Sequence, residues 1–331
     1  MADLQTTYMG LKLANPIIAG ASRLTSKVDG IKKLADAGAG AVVLSSLFEE
    51  QIQLERARLE EDRTRWDEMY AEMTSMFPHI EHAGPEEHLA LVRKAKEAAG
   101  VPIIASLNAI TPETWVEYAQ RLAEAGADAL ELNFYATPTD LSRPGREIEA
   151  EQVSIAQQVR RAVAVPISAK LSPFYANPLN VIARLDKAGV KGFVLFNRFF
   201  QPDIDIKKEA NTFPLSLSHE GDYGLSLRYA GLLYGQIKAD ICASTGITTG
   251  EDVAKLLLAG AGCVQVVTTL YKNGADQLGK MKRALEAWME GKGHATLADF
   301  RGKLARANQA DPWAYERAQY VRTLLRPNPL D

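Results

Sequence analysis

The sequence has little cysteine and no excess of positive charge, and both shortages exclude classes of protein. Cys242 and Cys263 are the two cysteines among 331 residues, and they lie in separate apolar runs. This suits reduced core residues of an intracellular protein better than a disulfide. With no cysteine cluster, any iron–sulfur centre would belong to another subunit. The net charge of −3 and the lack of a basic block argue against nucleic acid or an acidic membrane as a partner.

Long apolar runs are also missing. No stretch approaches the roughly 20 apolar residues that a membrane-spanning helix needs, and residues 1–15 lack the charged start and apolar core of a signal peptide. We therefore expect a soluble cytoplasmic protein. Hydrophobic residues make up 47% of the chain, enough for the core of one large barrel or of two domains.

A repeating strand-and-helix pattern favours the barrel. Apolar, β-branched segments that suit buried parallel strands alternate with amphipathic helical patterns. Several helices end in Ala-Gly, as at Gly38 and Gly260, where glycine can take the left-handed position, and Thr111 and Thr249 are typical helix caps. The pattern predicts an α/β fold, a (β/α)8 TIM barrel. Its predicted strands are 16–21, 41–46, 102–107, 129–134, 166–171, 192–197, 240–245 and 263–268.

Two insertions and a tail depart from the repeat. Residues 49–77 follow strand two and are typical either of a solvated helix with one apolar face or of a mobile substrate lid. Residues 201–223 follow strand six, and their weak alternation predicts a hairpin. We assign residues 1–304 to the barrel and 305–331 to a C-terminal helical extension. Helices predicted at 299–304 and 312–325 would cover the barrel or a partner subunit.

Polar residues end three of the predicted strands. Lys170 closes a strand of small apolar residues, and a cation fixed there can stabilise an anion that develops on a ligand. An ion-paired structural lysine is the alternative. Asn133 and Asn197 end strands four and six, and their amides suit a planar heterocycle with alternating N–H and C=O groups. Because the strand ends of a barrel converge, the three residues form a candidate site.

Small and hydroxyl-bearing residues follow the last two strands, where many barrels bind phosphate through backbone N–H groups. They are Ser244, Thr245 and Gly246 after strand seven, and Val267 and Thr268 after strand eight. The phosphate could belong to a cofactor or to a substrate.

Five motifs, in chain order, resemble those of dihydroorotate dehydrogenases, with the soluble class 1 branch nearest. They are Asn15-Pro16 with 19–22, Glu131-Leu132-Asn133, the run 169–173, the run 245–252, and the run 298–304. The resemblance implies an FMN-binding barrel for a small-molecule substrate of pyrimidine biosynthesis. It also implies a homodimer, and an electron-transfer partner subunit is an option.

The resemblance further implies roles for individual residues. Lys170 would face one edge of the flavin, Asn133 would contact flavin and substrate, and Asn197 would bind substrate. The flavin would be bordered by Ala19, Gly20 and Ser46, and its phosphate would be held by Ser244, Thr245, Gly246, Val267 and Thr268.

The chain also departs from the family pattern. Ala136 stands where the family has a cysteine or serine base, which leaves Tyr135 and Thr137 as candidate proton acceptors. Apolar residues and serines around 44–47 replace a family lysine, and Thr245 replaces a glycine that the phosphate loop favours. We interpret the protein as an FMN-dependent oxidoreductase acting on a CH–CH donor, with a pyrimidine-type or other planar unsaturated substrate.

Two alternatives come from other functional classes. A flavin-free barrel lyase could use Lys170 as a Schiff-base amine. A non-catalytic barrel could have kept FMN for binding or assembly after losing the base at position 136.

Overall fold

A computed structural model describes residues 2–64, 84–135 and 137–325, which form alternating strands and helices. The strands are β1 (Thr6–Tyr8), β2 (Leu11–Leu13), β3 (Ile17–Ala19), β4 (Ala41–Val43), β5 (Leu47–Phe48), β6 (Ile103–Asn108), β7 (Ala129–Asn133), β8 (Ile167–Leu171), β9 (Gly192–Leu195), β10 (Asp203–Asp205), β11 (Ala210–Thr212), β12 (Asp240–Ser244) and β13 (Cys263–Val266). The α-helices are α1 (Val28–Asp36), α2 (Glu49–Thr64), α3 (Pro85–Ala99), α4 (Pro112–Glu124), α5 (Gly145–Ala162), α6 (Pro178–Lys187), α7 (Gly224–Leu233), α8 (Gly250–Ala259), α9 (Thr268–Asn273), α10 (Gln277–Lys292) and α11 (Arg317–Leu324). No helix within these ranges is both long and apolar enough to cross a membrane.

Eight parallel strands close into a barrel. The ring runs β3, β4, β6, β7, β8, β9, β12, β13, and pairing of Val264 in β13 with Ile17 in β3 closes it. Each barrel strand overlaps one of the eight predicted segments, so the predicted (β/α)8 barrel is confirmed. The strands are almost wholly buried because helices cover the outside and side chains fill the inside.

The helix boundaries follow signals in the sequence. Thr111 and Thr249 accept backbone hydrogen bonds at the starts of α4 and α8, as predicted. Gly38 and Gly126 follow α1 and α4 with φ of +100° and +101°. Because side chains disfavour that conformation, glycine turns the chain from each helix toward the next strand.

A hairpin of β1 and β2 closes the amino-terminal end of the barrel. Tyr8 is fully buried, and a Cβ on Gly192 would lie 2.7 Å from its hydroxyl. Thr6 Oγ1 donates to the carbonyl of Gly262, and the backbone of Met9 donates to Asp240. Because the hairpin covers the amino-terminal end, a ligand-binding site is expected at the carboxyl-terminal end of the barrel.

The two insertions lie after β4 and β9. The second contains the predicted hairpin, in which β10 pairs antiparallel to β11. The first contains α2, whose start is held by Glu49 because its Oε2 accepts from the backbone of Thr111 at 2.9 Å. Ile52 is buried on the same helix. Residues 65–77, on which the choice between solvated helix and lid also depends, lie outside the described residues.

The carboxyl-terminal segment packs on the barrel. The helix predicted at 299–304 is wrong, because Gly302 has φ of +73° and donates to the carbonyl of Leu257, so the chain turns there. The segment predicted as helix at 312–325 contains a short 3₁₀ turn followed by α11. The ring of Tyr315 lies against Gly231 in α7. The tail was predicted to cover either the barrel or a partner subunit, and this part of it covers the barrel.

Candidate active site

Polar side chains from four barrel strands meet at the carboxyl-terminal mouth. Asn197 Nδ2 donates to Asn133 Oδ1 at 2.5 Å, and Asn133 Nδ2 donates to Ser46 Oγ at 3.4 Å. Ser46 Oγ in turn lies 2.7 Å from Ser106 Oγ. The structure thus joins three predicted site residues, Ser46, Asn133 and Asn197, in one chain of hydrogen bonds and adds Ser106 to it.

Asn108 holds the loop that follows Asn133. Its Nδ2 donates to the carbonyls of Asn133 at 2.7 Å and of Tyr135 at 3.2 Å. Both acceptors are backbone atoms at the point where β7 enters the loop. Asn108 therefore fixes the direction in which that loop leaves the barrel.

Lys170 lies beside Asn133 and above a buried acid. The two residues are paired across β7 and β8. The side chain of Lys170 is 11% exposed, and its Nζ lies 3.9 Å from Glu131 Oε1. Glu131 Oε2 accepts from Gln265 Nε2 at 2.5 Å. The floor of the site therefore carries an ion pair that is bridged to β13 on the other side of the barrel.

Tyr135 lies in an aromatic group at the rim of the mouth. Its ring meets Phe199 edge-on with centroids 4.7 Å apart, and its hydroxyl accepts from the backbone of Phe200 at 3.2 Å. Thr137 is exposed. The two candidate proton acceptors thus flank position 136, and Ala136 itself lies outside the described residues.

Ser218 from the second insertion forms hydrogen bonds with both loops of the predicted phosphate site. Gly246 N donates to Ser218 Oγ at 3.2 Å, and Ser218 Oγ lies 2.8 Å from Thr268 Oγ1. Ser244 is buried, and its carbonyl accepts from Ser226. Gly246 and Thr268, predicted from separate loops, therefore converge on one hydroxyl.

Two backbone positions shape this side of the mouth. A Cβ on Gly20 would lie 2.8 Å from Val267 Cγ2 and 3.4 Å from Gln265 Oε1, so glycine lets the backbone pack directly against these two side chains. Thr245 has φ of +77°, and its hydroxyl donates to the carbonyl of Phe196 at 3.1 Å. The left-handed conformation explains why a glycine would suit position 245.

Comparison with known proteins identifies the family. The family model for dihydroorotate dehydrogenase matches residues 3–289. The chain belongs to the dihydroorotate dehydrogenase family. A dihydroorotate dehydrogenase B (NAD(+)) catalytic subunit of Thermoplasma volcanium is 29% identical over 304 residues, 88% of this chain and 94% of that protein. The NAD-dependent dihydropyrimidine dehydrogenase subunit PreA of Escherichia coli K12 is 26% identical over 325 residues, 91% of this chain and 76% of PreA.

These relatives support a dihydroorotate dehydrogenase-like oxidoreductase. Sequence reasoning had named the strand-end residues of this family member but missed the groups that hold them. They are Ser106, Asn108, Glu131, Ser218 and Gln265. A signal for two of them exists, because Glu131 and Gln265 are polar residues inside otherwise apolar strands, which marks side chains that point into the barrel.

Proposed function

We propose that this dihydroorotate dehydrogenase-like protein is an FMN-dependent oxidoreductase acting on a CH–CH donor. Its substrate would be a pyrimidine or another planar unsaturated compound. The observation that carries the proposal is the convergence of Lys170, Asn133 and Asn197 at one end of the barrel, beside the loops of Gly20 and Gly246.

The residues at the mouth fit such a cofactor. Gly20 carries no side chain at a point where a Cβ would lie 3.4 Å from Gln265 Oε1, and this buried oxygen has no hydrogen-bond partner among the described residues. A planar ring with N–H groups can use that oxygen. Ala19, Gly20, Ser46 and Asn133 would border the ring. The phosphate would be held by Ser244, Thr245, Gly246, Val267 and Thr268, joined by Ser218.

Oxidation of a CH–CH unit removes a hydride from one carbon and a proton from its neighbour. Bound FMN would accept the hydride. The Lys170 ammonium would stabilise negative charge that arises at its edge of the site. The amides of Asn133 and Asn197 would hold a planar substrate, because each amide offers both donors and an acceptor.

The proton needs a separate acceptor, since alanine at position 136 has none. We propose that it leaves through Tyr135, Thr137 or water. Tyr135 is placed by two contacts, its edge-on packing against Phe199 and the hydrogen bond from Phe200. Its hydroxyl accepts that bond and keeps its own proton, so it would take the substrate proton on its remaining lone pair while it passes its own proton to water.

The first test is the visible absorption spectrum of the purified protein, with identification of any chromophore released on denaturation. We expect a flavin spectrum and released FMN. Anaerobic mixing with dihydroorotate, dihydrouracil or dihydrothymine should then bleach the spectrum for one of these donors. Lys170→Met should keep FMN but bleach at least about a hundredfold more slowly. A colourless protein that takes up no added FMN would overturn the proposal.

A non-catalytic FMN-binding barrel is the second candidate, and alanine at position 136 favours it. Such a protein would show the flavin spectrum and would not be bleached by any donor at millimolar concentration. The Schiff-base lyase fits less well, because Lys170 Nζ is ion-paired with the buried carboxylate of Glu131 at 3.9 Å, whereas a Schiff-base lysine must act as a free amine.

We further propose a cytoplasmic homodimer, able to work with an electron-transfer partner subunit. The Thermoplasma volcanium relative is named a catalytic subunit and PreA is named a subunit. The hairpin of β10 and β11 supports a contact surface, because apolar side chains on it and just after it are exposed. They are Ile204, Ile206, Phe213 and Leu215. We keep residues 1–304 as the barrel and 305–331 as its extension.

A further inference from the structure

A carboxylate lies fully buried directly beneath Lys170. Glu131 is 0% exposed, and its Oε1 lies 3.9 Å from Lys170 Nζ. That oxygen has no hydrogen-bond partner among the described residues. A buried carboxylate is costly unless it faces a positive charge, and Lys170 supplies that charge.

Gln265 fixes the other oxygen of this carboxylate. Its Nε2 donates to Glu131 Oε2 at 2.5 Å from a strand that lies across the barrel. Gln265 is also buried. The carboxylate therefore cannot turn away from Lys170 without breaking a buried hydrogen bond.

Two other titratable groups lie near the pair. They are Tyr8 from the hairpin below and Cys242 from β12. Burial raises the pKa of Tyr8 and of Cys242, so neither ionises near neutral pH. Among the described residues, Glu131 is thus the anion that faces Lys170 inside the barrel.

We propose that Glu131 is a positioning residue that keeps the Lys170 amine protonated and holds the ammonium at the mouth. An amine this buried tends to lose its proton when no anion faces it, since burial disfavours the charged form. The catalytic meaning rests on the proposed function, in which the site needs a fixed positive charge. The protonation of Lys170 itself is a property of the chain alone.

The test measures the titration of Lys170 by NMR of protein labelled with [¹³Cε]lysine and stripped of any flavin. Lys170→Met identifies the signal. We expect Glu131→Gln to lower the pH midpoint of this signal by at least about one unit relative to the wild type. Ser168→Ala is the matched control, because Ser168 is buried, uncharged and paired with Glu131 across β7 and β8.

Equal midpoints in the wild type and Glu131→Gln would overturn the proposal, and so would an equal fall in Ser168→Ala. Should Glu131→Gln fail to fold, the double variant Glu131→Gln/Lys170→Met decides. Recovery of folding shows that the unpaired ammonium was the cause, whereas no recovery overturns the proposal. If the protein takes up no FMN, the proposed function fails, but the titration still decides whether Glu131 holds the charge.

Discussion

Thr245 has a backbone conformation that β-branched side chains avoid. Its φ of +77° lies in the left-handed region, which costs a non-glycine residue about 1–2 kcal/mol. We expect Thr245→Gly to be more stable than Thr245→Ala by about that amount. Both variants lose the hydrogen bond to Phe196, but glycine alone is free of the strain. Urea unfolding of both variants measures the difference, and an alanine variant that equals the glycine variant would contradict this account.

His88 makes stability depend on pH. It is buried in α3, and burial lowers its pKa from 6.5 to about 4. Between these values the unfolded chain binds a proton that the folded protein does not, so stability falls as the pH is lowered through this window. Across this window the free energy of unfolding falls by roughly 3 kcal/mol at most.

His88→Leu should remove this component, so that its free energy of unfolding falls less than that of the wild type between pH 6.5 and 4. Urea unfolding at several pH values measures the two slopes. Among the described histidines, His219 is exposed, so His219→Leu serves as the control for loss of a histidine side chain. Parallel slopes for the wild type and His88→Leu would show that another group causes the dependence.

At the scale of elements, the tail depends on one small residue in α7. A Cβ on Gly231 would lie 2.1 Å from the ring of Tyr315, whereas a Cβ on Gly224 in the same helix meets nothing within 4 Å. Gly231→Ala should therefore release residues 312–324 and expose their amides to hydrogen exchange, with little change in the barrel. Gly224→Ala is the control and should leave the tail protected. If the tail also stays protected in Gly231→Ala, it does not depend on this contact.

The barrel elements could be predicted because their signals are local. A buried strand needs only a run of apolar residues. Helix α8 starts directly after its cap Thr249, whose capping partner Asp252 is only three residues further on. The hairpin of β1 and β2 was missed. Its strands have three residues each and owe their place to distant contacts, such as the one between Thr6 and Gly262.

At the scale of the whole molecule, the exposed hairpin gives the proposed dimer a test. Ile206 and Phe213 are 84% and 82% exposed, and large apolar side chains exposed on one hairpin favour a contact site. Light scattering should give twice 36.2 kDa for the wild type and 36.2 kDa for Ile206→Asp/Phe213→Asp. Lys207→Asp/Lys208→Asp on the same hairpin is the charged control and should remain dimeric. A wild-type monomer would contradict the dimer.

Only those residues of the candidate site that lie at the ends of strands could be predicted from the sequence. Lys170, Asn133 and Asn197 were predictable because strand ends converge in any barrel. The bond between Glu131 and Gln265 joins residues 134 positions apart, and Ser218 reaches Thr268 from an irregular loop. No local pattern specifies such pairs, since they depend on how the ring closes.

The closure at the barrel base has a consequence for synthesis on the ribosome. Thr6 in β1 bonds to Gly262, and Met9 in the turn after it bonds to Asp240, each more than 230 positions later in the chain. The hairpin therefore cannot make these contacts, which help to bury Tyr8, until the segments of Asp240 and Gly262 have left the ribosome. Contacts of such long sequence separation slow folding, because a large loop must close before they form. The residues of this hairpin are therefore among the last of the core to be buried.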